Sequence, residues 1–246
     1  MELLEIKELN HMFGGLKAIA NLNINVKAKM TYGVIGANGA GKTTLFNLIT
    51  GIYHPTAGQI LLDGLSLVGK QSFEISRLGV ARTFQNLRLF NDLTVVENIH
   101  VGQIYRRGLG KLKTKDLSAK IDSLLNLFGL DVRAEEKAGN LPYGMQRKLE
   151  IARALATEPK LLLLDEPAAG MNPQEVQGLV GLIKEVKRQY SDITIVLIEH
   201  QMKLVEGLCD YATVMNFGQV IANGTVQEIQ NNPVVIKAYL GEAEVG

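Results

Sequence analysis

The chain has 246 residues, 46% of them hydrophobic and 21% charged, which is enough for one large core or a core carrying an inserted subdomain. A formal net charge of +1 leaves no global field that would argue for a nucleic-acid partner, and a single cysteine, Cys209, excludes an internal disulfide and suits a reducing compartment. The first residues put no apolar stretch behind a basic one, so no secretory signal is expected, and no run of about 18 apolar residues is present to span a membrane.

Residues 3–9 and 22–28 alternate apolar and polar side chains, with Leu22, Ile24 and Val26 facing away from Asn23, Asn25 and Lys27. That period predicts two half-buried antiparallel strands. Between them, His11–Ala18 is expected to form a turn that carries Phe13. A Phe there either stacks on a flat ligand or joins the core, and most Phe residues are buried. Thr31–Ile35 then reads as a short buried strand and Leu45–Thr50 as a helix. The stretch between and into them is Gly36-Ala37-Asn38-Gly39-Ala40-Gly41-Lys42-Thr43-Thr44. It matches the phosphate-binding loop G-x-x-x-x-G-K-[ST] at every fixed position, in the strand–loop–helix context the motif requires. Glycines let backbone N–H groups turn inward around a phosphate, and the helix N-terminus adds positive potential. Lys42 is expected to reach the β- and γ-phosphates of a nucleotide, and Thr43 to place its hydroxyl on Mg²⁺.

Residues 57–70 read as a strand pair with an Asp63-Gly64 turn, residues 72–78 as a short helix, and Val80–Phe84 as a strand with Gln85 directly at its end. Ligands bind beyond the C-terminal ends of strands in open α/β sheets. Gln85 is therefore either a contact to metal or attacking water, or a solvated loop amide. Residues 92–157 read as mostly helical, over Val95–Gln103, Lys115–Phe128 and Met145–Ala156; Ile121, Leu124, Leu125 and Phe128 repeat at helical spacing. A basic stretch that includes Arg106, Arg107, Lys111 and Lys113 reads as a solvated face. Four leucines, Leu161–Leu164, then end in Asp165-Glu166. A continuous apolar run suits a central parallel strand. Asp165 would hold Mg²⁺ through water, and Glu166 would act as general base on an attacking water. Residues 174–188 form an amphipathic helix. Thr194–Ile198 is a second buried strand that leads through Glu199 to His200, either structural or a γ-phosphate contact. A helix (Met202–Cys209), a hairpin about Asn216-Phe217-Gly218 and two final helices (Val226–Gln230, Val234–Leu240) complete the chain.

In this order the motifs resemble the ATP-binding subunit of an ABC transporter over essentially the full length. The phosphate loop is followed by Gln85, then Leu141-Pro142-Tyr143-Gly144-Met145-Gln146, then Leu161–Glu166, then His200, and Leu149–Leu155 matches the helix after the family signature. Ala81–Phe90, Tyr143-Gly144 with Leu149–Arg153, and Lys237–Gly241 are similar to the ATPases of branched-chain amino acid importers. The resemblance implies an α/β fold, a P-loop NTPase (RecA-like) core with an antiparallel β subdomain and an inserted helical subdomain. Residues 1–91 and 158–246 would form the nucleotide-binding core, and 92–157 the helical part. It implies that Phe13 stacks on adenine with Ala18 against the base, that Asn38–Thr44 bind ATP, and that Thr43, Gln85 and Asp165 arrange Mg²⁺. Glu166 would be the catalytic base and His200 the switch histidine. Pro142–Gln146 would cover ATP on a second ATPase subunit, in a head-to-tail homo- or heterodimer.

The implied protein hydrolyses ATP on the cytoplasmic face of the cell membrane, on separate permease subunits fed by a substrate-binding protein, with no nucleic acid involved. The alternatives are other cargoes (urea, short amides, an exported lipid) or a soluble non-transport ABC protein. Two departures stand at the dimer contacts. The usual Leu-Ser-Gly-Gly-Gln reads Leu141-Pro142-Tyr143-Gly144-Met145, and Asn172 replaces a usual Asp. Pro142 is expected at the first helical position, leaving the N–H groups of Tyr143, Gly144 and Met145 as free donors for an anion.

Overall fold

The computed structural model describes residues 1–108 and 114–240, in two compact units: Met1–Leu78 with Asp192–Gly246, and Gly79–Ser191. Lys111 and Lys113 of the basic stretch, and Gly241 near the C-terminus, lie outside the described residues.

The first unit opens with β1 (Glu2–Phe13) and β2 (Leu16–Lys27), both longer than their alternating centres. Only Gly14 and Gly15 remain as the turn. The expected loop His11–Ala18 is instead mostly paired strand, with Met12 opposite Lys17 and Phe13 opposite Leu16, and the register shifts along the way through bulges. Bulges break the period of two, which is why alternation did not reveal these strand ends. In the regular part Leu22, Ile24 and Val26 are buried while Asn23, Asn25 and Lys27 are exposed. Next come β3 (Thr31–Ile35), buried at every position, and α1 (Lys42–Ile49). Then β4 (Ala57–Leu62) and β5 (Leu65–Ser66) close through Asp63 and Gly64 at φ 51° and 75°, the left-handed pair that a two-residue hairpin turn demands. β4 pairs with the free side of β1, giving an antiparallel sheet of order β2-β1-β4-β5, and α2 (Ser72–Arg77) follows.

The second unit begins with β6 (Val80–Arg82), two residues shorter than expected. It continues through α3 (Val95–Gly108), α4 (Thr114–Phe128) and α5 (Tyr143–Leu155) to β7 (Leu161–Asp165) and α6 (Pro173–Gln189). β6 and β7 run parallel, with Arg82 beside Leu163, and every residue of β7 is buried. α3 and α5 touch backbone to backbone at Gly102, where a Cβ would stand 2.6 Å from the Arg153 carbonyl oxygen. α6 is capped by Asn172, whose Oδ1 accepts from the Glu175 N–H while Glu175 Oε2 accepts from the Asn172 N–H. This reciprocal box gives the unusual Asn172 a structural task.

The chain then returns to the first unit as β8 (Thr194–Glu199), α7 (Met202–Leu208), β9 (Tyr211–Asn216), β10 (Gln219–Thr225), α8 (Val226–Gln230) and α9 (Pro233–Leu240). Here β3 lies between β8 and β9, parallel to both, and β10 pairs antiparallel with β9. Ile35, Val205, Ala212, Val214, Val226, Ile229 and Val235 form a buried cluster over these strands. Burying each valine or isoleucine of the cluster contributes about 1.5–3 kcal/mol. At Gly33 a Cβ would stand 3.0 Å from Ala212 and 3.1 Å from Val205, so α7 packs directly on β3. Among the described residues no helix is long and apolar enough to cross a membrane.

Candidate active site

In the first unit the phosphate loop leaves β3 and enters α1. Its glycines are required for different reasons. At Gly36 a Cβ would lie 2.4 Å from the Met215 carbonyl oxygen, so no side chain fits beneath the loop. Gly39 faces open space but sits at φ 81°, and Gly41 combines φ 98° with a Cβ position 2.8 Å from the Ala18 carbonyl oxygen. Ala18 thus borders the loop through its backbone. No side chain caps α1 and its first turn holds no acid, so the positive end of the helix is presented to an anion. Lys42 Nζ donates to the carbonyls of Gly36 (2.6 Å) and Ala37 (2.9 Å), which holds the ammonium across the loop. Asn38, Gly39 and Thr43 are exposed, Thr44 is half-buried, and Ala40 is buried with its carbonyl accepting from the Gly218 N–H.

Parallel pairing sets His200 beside this loop. Ile35 at the end of β3 is in register with Glu199 at the end of β8, so the residues that follow them, Gly36 and His200, start from the same sheet edge. His200 is exposed, and Glu199, wholly buried, accepts from its backbone N–H at 3.2 Å. At the tip of the β1–β2 hairpin Phe13 is 43% exposed, and its ring meets His11 and Tyr53 at near right angles, with centroids 4.6 and 5.2 Å away. Tyr53 carried no sequence signal, being 40 residues from Phe13 in the chain.

In the second unit β7 delivers Asp165 and Glu166. Asp165 Oδ2 accepts from Arg82 Nη2 at 2.7 Å, both side chains being buried. Burial pushes the Arg82 guanidinium down from its ordinary value, and the bond to Asp165 opposes that. Among the described residues, Asp165 Oδ1 is buried with no hydrogen-bond partner. An orphaned buried carboxylate oxygen is costly, and it suits a cation or a cation-bound water, so the residue fits Mg²⁺. Glu166 follows at φ 45°, a conformation uncommon for a side-chain-bearing residue, and accepts from Gln85 Nε2 at 3.0 Å. Gln85 stands not at the strand end but three residues beyond β6, in a loop. Arg82 was missed as a partner of Asp165; its signal was a charge inside a short apolar strand.

At the start of α5, Pro142 is the N-cap and not the first helical residue: its ψ of 148° is extended. Its carbonyl accepts from the N–H of Met145 (2.9 Å) and of Gln146 (3.0 Å), so Met145 is not a free donor. Among the described residues no hydrogen bond uses the N–H of Tyr143 or Gly144. Gln146 Nε2 turns back to the Leu141 carbonyl at 2.8 Å. A Cβ on Gly144 would stand 3.0 Å from Glu175 Oε1, and the Tyr143 ring lies against Gly170.

A phosphate loop opening a helix, and a buried strand ending in a paired aspartate and glutamate, define a P-loop ATPase. A family model described as "ABC transporter" matches residues 19–169, and one described as "Branched-chain amino acid ATP-binding cassette transporter" matches residues 219–245. The chain is 48% identical to the high-affinity branched-chain amino acid transport ATP-binding protein LivG of Escherichia coli K12, over 98% of both chains. It is 44% identical to the corresponding BraF protein of Pseudomonas aeruginosa, again over 98% of both. Among solved structures, an ATP-binding cassette of an ABC transporter in its ADP conformation superposes with a TM-score of 0.87 at 31% identity, over 98% of this chain and 99% of that one. The chain belongs to the ABC transporter ATP-binding cassette family.

Proposed function

We propose that this ATPase powers the uptake of branched-chain, hydrophobic amino acids through separate membrane permease subunits. It would work at the cytoplasmic face of the cell membrane, paired head to tail with a second ATPase subunit and supplied by a substrate-binding protein. Two lines support this cargo over urea, amides or an exported lipid. The relatives of highest identity named above carry branched-chain amino acid transport in their names, and the C-terminal residues 219–245 match the model of that subgroup.

The observation that carries the hydrolytic reading is Glu166: buried, in a left-handed backbone conformation, directly after Asp165 and bonded to Gln85. In this reading Lys42 and the amides of Asn38–Thr44 bind the β- and γ-phosphates, and Phe13 and Ala18 take the base. Gln85 and Glu166 orient the attacking water, Glu166 accepts its proton, and His200 holds the γ-phosphate end. Mg²⁺, when bound, neutralises charge developing on the phosphates; Thr43, Gln85 and Asp165 would hold it. Few protein ligands are needed, because Mg²⁺ takes most of its coordination from phosphates and water. Positioning and electrostatics carry most of such a reaction. Functionally, 1–91 with 158–246 would form the catalytic core, and 92–157 the helical part that presents Pro142–Gln146 to the partner's ATP.

The test is purification from detergent with whatever membrane subunits accompany the chain, followed by reconstitution in vesicles with ATP inside and binding protein outside. Leucine uptake that needs ATP and stops with Glu166→Gln is expected. ATP-driven uptake of urea or an amide but not leucine would overturn the cargo, and absence of any membrane partner would overturn the transport reading.

A further inference from the structure

The loop that carries Gln85 follows β6 without regular structure, so its backbone groups need partners from elsewhere. They come from two side chains one turn apart on α5. Arg147, wholly buried, donates from Nη1 to the Phe84 carbonyl at 2.6 Å and to Glu150 Oε2 at 2.8 Å. From Nη2 it donates to the Gln85 carbonyl at 2.7 Å and to Tyr143 Oη at 3.1 Å. Glu150, 1% exposed, turns its other oxygen to the N–H groups of Phe84 (3.4 Å) and Arg88 (3.3 Å). Four backbone groups of residues 84–88 are thus held by one arginine and one glutamate, while the Gln85 side chain reaches Glu166 at 3.0 Å.

We infer that Arg147 and Glu150 are positioning residues for hydrolysis: from the helix that begins at the signature they fix the backbone of the Gln85 loop and so set where Gln85 stands against Glu166. This rests on the roles proposed above for Gln85 and Glu166. The ion pair by itself is weak evidence for a stabilising role; what is specific is that two carbonyls, a carboxylate and a phenol need the planar fork that only arginine supplies. The same guanidinium touches Tyr143, the first residue of α5. A shift of the signature segment is thereby passed through Arg147 to the Gln85 loop.

The experiment uses the full-length chain with saturating MgATP and compares wild type, Arg147→Met/Glu150→Leu, Gln85→Ala and the triple variant, with nucleotide Kd and Tm measured alongside kcat. Misplacing a reacting group by about 1 Å costs up to about a hundredfold. The pair variant is expected to lose between about tenfold and a hundredfold in kcat, with Kd within about threefold and Tm lowered, because four loop backbone groups lose their partners. The triple variant should be no slower than Gln85→Ala, because the pair acts through that residue. Should the pair variant fail to fold, Arg147→Lys keeps the charge against Glu150 and loses the fork, and the same kcat loss at unchanged Kd is expected. Wild-type kcat in the pair variant, or in Arg147→Lys, with a slow Gln85→Ala overturns the inference alone. Wild-type kcat in Gln85→Ala overturns the role of Gln85 and the inference with it. A triple variant slowed by the product of both losses shows the pair acting elsewhere and also overturns it.

Discussion

Glu166 is held where few side chains go, at φ 45° with 8% of its surface exposed, and its Oε2 accepts from Gln85. Glu166→Gln retains an acceptor oxygen for Gln85 and removes only the base. Nucleotide binding should therefore persist while steady-state hydrolysis falls by about 10²–10⁴, and ATP-dependent dimers should accumulate on a sizing column. Wild-type turnover would remove Glu166 from the role. Cys209 illustrates the opposite kind of residue. Burial, with Asp210 and Glu199 adding, pushes its thiol from 9.0 up to about 12. The folded state thus favours the neutral thiol. Stability linked to this group is full below the ordinary thiol range and is lost as pH rises toward about 12. At pH 8 the half-buried Cys209, its thiol held neutral in the folded chain, should be labelled by a disulfide reagent more slowly in the native chain than in denaturant. Native labelling as fast as in denaturant would contradict the raised thiol.

At the scale of the element, the N-terminus of α5 departs most from the family pattern. With Pro142 as N-cap, the donors left for an anion are the N–H groups of Tyr143 and Gly144, two and not three. A serine is a far better N-cap than a residue with no side-chain acceptor, and its hydroxyl is worth about 0.5–2 kcal/mol of stability there. Pro142→Ser should raise Tm and keep ATPase activity within a few-fold. A large fall in activity would mean that the proline itself is required. Gly144 is constrained from α6 as well as by its place in the signature segment. An aspartate there would meet Glu175, whose oxygen already stands 3.0 Å from the Cβ position and belongs to the α6 capping box. Gly144→Asp should lower Tm in the nucleotide-free chain by like-charge repulsion, and Gly144→Asn, of the same shape, should do so less. Equal losses would assign the effect to volume and not to charge.

At the scale of the whole molecule, the residues proposed for ATP binding and hydrolysis are divided between the two units. The phosphate loop, Phe13, Ala18 and His200 lie in the first, and Gln85, Asp165, Glu166 and Pro142–Gln146 in the second. The proposed head-to-tail pairing makes hydrolysis a property of two chains. The isolated chain should be mainly monomeric without ATP, and its ATPase rate should rise faster than linearly with protein concentration in the dilute range. Strictly linear activity down to nanomolar protein, with light scattering showing monomers, would count against a composite site.

What the sequence alone determined is local. The phosphate loop is legible because its fixed residues are contiguous in the chain and because Gly39 and Gly41 answer their own backbone at φ 81° and 98°, whereas the reason for Gly36, the Met215 carbonyl, is tertiary; β7 and β8 are legible as apolar runs that suit buried parallel strands. Family resemblance joined those pieces in order. What tertiary structure decided is which polar groups meet. Arg147 and Glu150 look, in sequence, like an exposed pair three apart on a helix, and both are in fact buried against a loop some 62 to 66 residues away in the chain. Arg82 finds Asp165 across 83 residues, and Tyr53 finds Phe13 across 40. Periodicity reports which side chains leave water. It carries no information about which distant backbone they satisfy, because that depends on the path of the whole chain and not on the period of any one element.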